Sequence, residues 1–374
     1  MTVLFYFLGI LSTFYVLYLV VDKFLIPTIY ILKDKLKLTD DQTGTVTSFV
    51  SSAPELSVSI ISLILAIKSN NKGEFEQIAS LGPAAVIGSA LFSVLFIVGA
   101  SSWYGAKALT WHSITRDMLY YIFAVLVLYL TLSNGKVEWF EGVILLFLYV
   151  FYTIIVANWP KLSKYLKFSG HQIIEEDVKE IEEEFINIRT VKWTANNTLE
   201  KMFSFLFFPL SKQFSGFKVT YNILAAVFFV IISSYFMVEW ASKLATSLNV
   251  PQAIIGLTIL AAGTSVPDLI ASVKTAREGY GDTAVSNAIG SNVFDILGNL
   301  GLTWTIAAIF RAGVPVSVDT SSLISSIILL IASSLVLLLL LLAKKFNLSK
   351  LISLFLMLSY IIYVILVCYF AVKK

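Results

Sequence analysis

Three acidic side chains are notable because they interrupt strongly apolar stretches of the chain. They are Glu55, Asp268 and Asp295, and no lysine or arginine lies beside them at the same depth of these stretches. A charge inside a membrane-spanning segment costs several kcal/mol, so it is normally kept near a partner or a water-filled cavity. Because all three side chains are acids, we expect the missing partner to be a cation.

Hydroxyl residues and prolines surround two of these acids in the same order. The segments are Ser51-Ser52-Ala53-Pro54-Glu55-Leu56 and Thr264-Ser265-Val266-Pro267-Asp268-Leu269. Proline has no N–H and disturbs the preceding helical turn, which frees carbonyl oxygens. The hydroxyl four residues before each acid shares its helix face, and Ser291 repeats that spacing before Asp295. Carboxylate, hydroxyl and carbonyl oxygens are hard ligands, which suit Ca²⁺ and Na⁺.

These segments belong to an internal repeat. A second pair of similar segments follows them, at 88–93 in one half of the chain and at 290–295 in the other. Each pair falls on the second and third helices of a predicted five-helix half. Because five is an odd number, the second half enters the membrane from the opposite side. Transporters with inverted repeats place their site near the midplane between the halves. A single segment of this kind would equally fit a helix kink, but two copies favour an ion site.

The composition requires a lipid-facing surface. Of the 374 residues, 57% are hydrophobic and 14% are charged, and the mean hydropathy is +0.84. A soluble globular protein is about 45–50% apolar, so we expect an all-α membrane protein surrounded by the lipid bilayer. The net charge of +3 is small and gives no indication of nucleic-acid binding.

Cysteine and histidine are too few for other kinds of metal site. Cys368 is the only cysteine, which excludes an intramolecular disulfide and a multi-thiolate metal site. His112 and His171 lie far apart in sequence, so a histidine-based zinc site is poorly supported.

The residues 279–282, Gly-Tyr-Gly-Asp, resemble the GxGD motif of intramembrane aspartyl proteases, but no Pro-Ala-Leu motif follows them. We therefore expect no cofactor and no enzymatic activity.

Ten apolar runs are long enough to cross about 30 Å of hydrocarbon. They are 3–21, 43–67, 80–100, 117–133, 137–157, 219–237, 250–273, 283–309, 321–343 and 351–372. The first run lacks a basic n-region and a small-residue cleavage site, so we expect it to be a retained helix. The chain then divides into a first half, 1–157, a loop, 158–218, and a second half, 219–374.

Lysine and arginine set the expected orientation of these spans. If the N-terminus is outside, the inward loops contain 20 of the 27 basic residues. The positive-inside rule then places both termini outside and the loop 158–218 in the cytoplasm.

Acidic residues between 175 and 184 alternate with apolar ones, which is typical of a solvated helix. A calcium-sensing role for these acids is the less favoured alternative.

The segment 256–302 resembles the second alpha-repeat of potassium-dependent sodium/calcium exchangers. The similarity is carried by 260–268, Leu-Ala-Ala-Gly-Thr-Ser-Val-Pro-Asp, and by 284–297, which includes Gly-Ser-Asn-Val-Phe-Asp-Ile-Leu. The first half is similar from Asp22 through the segment around Glu55 to Arg116-Asp117 and Glu141, so the resemblance covers most of the chain.

The resemblance implies ten transmembrane helices and electrogenic exchange of Na⁺ against Ca²⁺ with K⁺. It implies that Glu55 and Asp268 are the central ligands, and that Asp295 is the acid associated with potassium dependence. Six hydroxyl residues are expected to complete the site: Ser51, Ser52, Thr264, Ser265, Ser89 and Ser291.

The first repeat departs from the family pattern. Ser48-Phe49-Val50 stands where the family has Ala-Ala-Gly, and Ser93 replaces an asparagine. The connection between the two similar segments is 11 residues longer in the first half than in the second, at 68–80. The alternative to an exchanger is therefore a protein of this fold that has lost transport and serves as a structural subunit of a membrane assembly.

Overall fold

The computed structural model is built almost entirely of helices. It describes residues 2–28, 51–69, 71–105, 109, 111–159, 203, 205–208, 216–277, 279–311 and 313–373. The helices are α1 (Thr2–Val20), α2 (Ala53–Ile67), α3 (Lys72–Ala79), α4 (Leu81–Leu91), α5 (Val98–Tyr104), α6 (Trp111–Leu132), α7 (Trp139–Ala157), α8 (Gly216–Leu248), α9 (Gln252–Ile255), α10 (Ala261–Thr264), α11 (Val266–Arg277), α12 (Gly281–Val293), α13 (Leu300–Phe310), α14 (Leu323–Ala343) and α15 (Lys350–Lys373). Strands β1 (Lys136–Val137) and β2 (Val316–Ser317) are short, and π-helical turns occupy Val21–Leu25, Phe92–Ile97, Gly256–Leu260 and Phe294–Asn299.

The described residues contain eight helical segments that are long and apolar enough to cross a bilayer. The bent pair Gln252–Thr264 and Val266–Arg277 makes a ninth. These nine correspond in order to nine of the predicted spans. Their outward sides are apolar, with Phe147 68% and Leu351 79% exposed. Such a surface requires lipid, because soluble monomers rarely expose large apolar patches. The prediction of an all-α, multi-pass membrane protein is confirmed.

The predicted span 43–67 is represented by α2, its later part. This helix has 15 residues and begins at Ala53. At 1.5 Å per residue it covers roughly 22 Å, less than the thickness of the hydrocarbon. Residues 43–50 lie outside the described residues, and they include the segment 48–50 that departs from the family pattern. The acidic stretch 175–184 also lies outside the described residues. Helix α2 by itself is therefore too short to cross the hydrocarbon.

Helix α8 is longer than the predicted span 219–237. It continues to Leu248, and its extension contains an ion pair between Glu239 and Lys243, one helical turn apart. Asn249 follows with a φ of 53°, a left-handed conformation that commonly ends helices. Hydropathy marks where the membrane ends, whereas this helix ends where its backbone turns.

Contacts between the connecting segments fall into two groups at opposite ends of the helices. One end, which we call face A, is defined by Glu76, Lys136 and Asp319. The Asp319 N–H donates to the Glu76 carbonyl at 3.4 Å, and Lys136 pairs with Ser317 across the antiparallel strands β1 and β2. The other end, face B, is defined by Tyr104, Arg277 and Phe346.

Face B has its own contacts. The Arg277 guanidinium lies 4.1 Å from the centre of the Tyr104 ring, and the Leu109 N–H donates to the Phe346 carbonyl at 2.9 Å. Tyr6, near the start of α1, lines a cavity with Lys68 and with Ser242 near the end of α8. The cavity also contains Glu74, which is on the same helix as Glu76, so it lies at face A. Helix α1 therefore starts at face A, whereas α8, the first helix of the second half, ends there. The two halves are inverted with respect to each other, as predicted.

Helix packing repeats under exchange of the halves. Helix α2 packs against α4 as α11 packs against α12, and α5 packs against α15 as α13 packs against α7. Helix α6 lies on α12 as α14 lies on α4, and α1 and α8 pack extensively against each other. The third span of the first half begins with α4, and the third span of the second half begins with α12. The packing pattern places these two helices, and the breaks before α2 and α11, in the middle of the bundle.

Candidate cation site

Two serines occupy equivalent breaks in the helices of the two halves. Ser52 precedes α2 with φ −86° and ψ 11°, and Ser265 precedes α11 with φ −89° and ψ 2°. These angles lie in the sparsely populated bridge region between helix and strand. The helical axis bends by 43° at Ser265. Pro267 has no N–H, so the Gly263 carbonyl cannot receive an α-helical bond there.

The two central acids lie in the first turns of the helices that follow these breaks. Glu55 and Asp268 are each the third residue of a helix, and both are buried. A helix N-terminus carries partial positive charge, which stabilises a nearby carboxylate by about 0.3–1 kcal/mol at exposed sites and by more in partly buried ones. Because this is less than the cost of burying a charge, the helix ends alone do not balance these acids.

The third acid, Asp295, lies on the π-helical turn Phe294–Asn299. The equivalent turn in the first half is Phe92–Ile97, where Ser93 occupies the matching position. Both side chains are buried. The repeat is therefore symmetric in backbone and asymmetric in charge, with one acid in the first half and two in the second.

The structure brings the three carboxylates together. Glu55 interacts electrostatically with both Asp268 and Asp295. The Thr264 side chain lies beside the Glu55 carboxylate, and Ser52 lies beside Asp295. A hydrogen bond of 2.6 Å joins the hydroxyls of Ser89 and Ser265. Ser51 and Ser291 are also buried, Ser51 immediately before the break and Ser291 one turn before Asp295.

Several polar atoms of this cluster have no hydrogen-bond partner within the described part of the chain. They include both carboxylate oxygens of Glu55, Oδ1 of Asp295 and the hydroxyls of Ser52 and Ser291. The ion pairs between described residues do not involve these acids. An unpaired buried charge is strongly unfavourable, and a cation would supply the missing interactions.

The acids are neighbours, but they do not form a compact metal centre. No group of three or more histidine, cysteine, aspartate or glutamate side chains in the described residues is arranged to hold a metal ion. Hydroxyl and carbonyl oxygens would have to complete the ligand set. A site of this kind favours hard cations that accept neutral oxygens.

Glycines allow the halves to approach closely at the site. A Cβ on Gly88 would lie 2.3 Å from the Leu257 carbonyl oxygen, and one on Gly256 would lie 2.6 Å from the Ala84 Cβ. Helix α4 therefore packs tightly against the turn Gly256–Leu260. This contact brings Ser89 within hydrogen-bonding distance of Ser265.

Another buried acid was missed because it lies at the edge of a predicted span. Asp117 accepts hydrogen bonds from Tyr152 (3.2 Å) and Ser286 (2.7 Å), and it pairs with Arg116 at 2.7 Å. Unlike Glu55, whose two carboxylate oxygens lack a hydrogen-bond partner in the described residues, Asp117 has a fully partnered carboxylate. The adjacent arginine was the available sequence signal, since a basic neighbour indicates a structural ion pair.

The chain matches known proteins along most of its length. A family model described as sodium/calcium exchanger protein matches residues 6–158 and 218–369. Human sodium/potassium/calcium exchanger 4 is 25% identical, and the alignment covers 96% of this chain and 80% of that protein.

Two solved structures share the fold. Native YfkE is 13% identical with a TM-score of 0.62, and the match covers 98% of this chain and 92% of the other. The H⁺/Ca²⁺ exchanger CAX is 13% identical with a TM-score of 0.59, covering 99% and 88%. At this identity the similarity shows the fold alone. The family model matches well over half of the chain, on both sides of the loop, and the chain belongs to the sodium/calcium exchanger protein family.

Proposed function

We propose that this protein is a secondary active antiporter that exchanges Na⁺ for Ca²⁺, together with K⁺, by alternating access. The observation that carries the proposal is the cluster of three buried acids without a cationic partner among the described residues, at the helix breaks of two inverted halves. The similarity to human sodium/potassium/calcium exchanger 4 supports the choice of ions.

Each proposed ligand has a role in this site. Glu55 and Asp268 are the central ligands of Ca²⁺, and they bind Na⁺ when Ca²⁺ has left. Hydroxyls from both breaks and from both third helices complete the oxygen shell: Ser51, Ser52, Thr264, Ser265, Ser89 and Ser291. Neutral oxygens are needed because two carboxylates provide too few ligands for Ca²⁺, which takes six to eight.

Asp295 gives a physical reason for potassium coupling. Three ionised carboxylates carry a charge of −3, and one Ca²⁺ leaves −1. A monovalent cation bound alongside would neutralise the remainder. The asymmetry of the repeat, with Asp295 opposite Ser93, supports one K⁺ position rather than two.

The domain organisation follows the same proposal. The first half, 1–157, and the second half, 219–374, each supply one alpha-repeat, and the loop 158–218 joins them in the cytoplasm. The positions of the family match, 6–158 and 218–369, support these boundaries. The structural-subunit alternative is not favoured, because the relative is an exchanger and because both Glu55 carboxylate oxygens and Oδ1 of Asp295 lack a hydrogen-bond partner among the described residues.

The decisive experiment is sodium-dependent ⁴⁵Ca²⁺ uptake into vesicles that contain the purified chain. We expect uptake that depends on an outward Na⁺ gradient, and we expect Glu55→Gln or Asp268→Asn to reduce it to near background. The exposed acid Glu74 provides a matched control, and Glu74→Gln should transport like the parent. A parent chain that neither transports nor binds Ca²⁺ would contradict the proposal.

A further inference from the structure

Each central acid is the first member of a buried polar row on its own helix. On α2, Ser59 and Ser62 follow Glu55 at four and seven residues; on α11, Ser272 and Thr275 follow Asp268 at the same spacings. Residues at these spacings lie on one helix face. All four side chains are buried, and the row therefore recurs in both halves.

The hydroxyls face the protein interior, whereas the opposite side of each helix faces lipid. Ile64 on α2 is 44% exposed, and Ile270 on α11 is 42% exposed. Each helix therefore presents an apolar side to the bilayer and a hydroxyl side to the bundle, a division that packing alone does not require.

The two rows lead to opposite faces of the protein. Helix α2 runs from Glu55 towards Lys68 and face A, and α11 runs from Asp268 towards Arg277 and face B. Seven helical residues span roughly 10 Å, against about 15 Å from the midplane to the edge of the hydrocarbon. Each row therefore covers most of the distance from the acids to one surface.

The two hydroxyl rows differ in their hydrogen bonding. The Ser59 hydroxyl donates to the Glu55 carbonyl and the Ser62 hydroxyl to the Ser59 carbonyl, both at 2.9 Å. Gly82 on α4 covers them so closely that a Cβ there would lie 2.8 Å from the Ser59 Cα. The buried Ser272 hydroxyl, in contrast, has no hydrogen-bond partner in the described residues. Its oxygen is enclosed by the protein but has unused hydrogen-bonding capacity, which a cation or a water molecule on the route would satisfy.

We propose that these hydroxyl rows line the two routes by which cations reach the carboxylates: Ser59 and Ser62 from face A, and Ser272 and Thr275 from face B. The proposal rests on the proposed exchange function and assigns one route to each inverted half. In this conformation the face-A row is sealed by its own backbone bonds and by Gly82, whereas the face-B row retains free hydrogen-bonding capacity at Ser272.

Thiol labelling tests the routes directly. Cys368→Ser yields a chain without cysteine, because Cys368 is the only one. Single cysteines at Ser62 and Thr275 are then exposed to a charged, membrane-impermeant methanethiosulfonate from either side of oriented vesicles. We expect Ser62→Cys to react only from face A and Thr275→Cys only from face B, both more slowly in saturating Ca²⁺. Ile64→Cys and Ile270→Cys are the lipid-facing controls and should remain unreactive.

The KM for transported ions provides a second readout. The substitutions used for it introduce no larger side chain near Gly82. Ser272→Ala and Thr275→Val should raise the KM for ions added at face B about three- to tenfold, with the KM at face A nearly unchanged. Ser59→Ala and Ser62→Ala should do the reverse. A merely structural role would change the amount of folded protein and not the KM on one side.

The outcomes separate this inference from the exchange function. If the parent transports while the row cysteines react no faster than the isoleucine controls and the KM values stay unchanged, the routes are wrong and the exchanger stands. Labelling from the opposite faces would also overturn the assignment. A parent without transport would remove both proposals.

Discussion

The hydroxyls of Ser89 and Ser265 share a hydrogen bond of 2.6 Å across the interface between the two halves. Their counterparts in the repeat, Ser291 and Ser52, are buried, but neither hydroxyl has a hydrogen-bond partner among the described residues. Serines at equivalent positions of the repeat therefore differ in their hydrogen bonding. We infer that the oxygens on the Ser52 side, next to Asp295, are the more available to a cation.

This asymmetry predicts the outcome of four alanine substitutions. Ser52→Ala and Ser291→Ala should each raise the KM for Ca²⁺ about three- to tenfold, because each removes an available oxygen. The effect of Ser89→Ala on the KM should differ between the parent and the Ser265→Ala variant, because the two hydroxyls form a hydrogen bond with each other. A double-mutant cycle on KM measures this dependence. Additive effects for Ser89→Ala and Ser265→Ala would show that the bond does not matter for binding.

The charge of Asp295 should set the potassium dependence of exchange. Asp295→Asn keeps the shape and one oxygen ligand but removes the charge that K⁺ balances. We expect Na⁺/Ca²⁺ exchange to continue and to lose its dependence on K⁺. Exchange is measured in K⁺ and in choline, with the parent as reference. A parent that is active but indifferent to K⁺ would show that the first repeat, with Ser93, has changed the coupling.

The distribution of basic residues predicts the sidedness of the inverted halves. Face A should be external and face B cytoplasmic. A cysteine near Glu182, which lies outside the described residues, should be labelled only from the cytoplasm, and one at Ser242 only from outside. The sequons at Asn196 and Asn347 should stay unglycosylated. Labelling of both cysteines from the same side would disprove this topology.

The buried ion pair of Asp117 should contribute to stability rather than to ion binding. Asp117→Ala leaves Arg116 without its partner, and breaking such a buried pair typically costs about 3–5 kcal/mol. Ser286→Ala removes one hydrogen bond to the same carboxylate and should cost about 1 kcal/mol. Unfolding in detergent, with the exposed Glu74→Ala as control, measures both. Equal stability of Asp117→Ala and the parent would contradict the structural role.

The sequence identified the site acids for an energetic reason. A carboxylate in an apolar stretch is costly, so its presence at Glu55, Asp268 and Asp295 indicates a function even without coordinates. The repeat placed them in one region, and the structure brings their side chains into electrostatic contact. Their assignment as cation ligands remains a prediction.

By itself, the sequence determined the fold class and nine of the membrane spans, because the bilayer imposes length and hydropathy on each helix separately. The tertiary structure decided what depends on pairs of residues distant in sequence. It buried Asp117 at a predicted span edge beside Ser286, paired Ser89 with Ser265, and left Ser272 without a partner within the described chain. Hydropathy reports the preference of one residue for lipid, whereas hydrogen bonds and close packing are set only when the two halves come together.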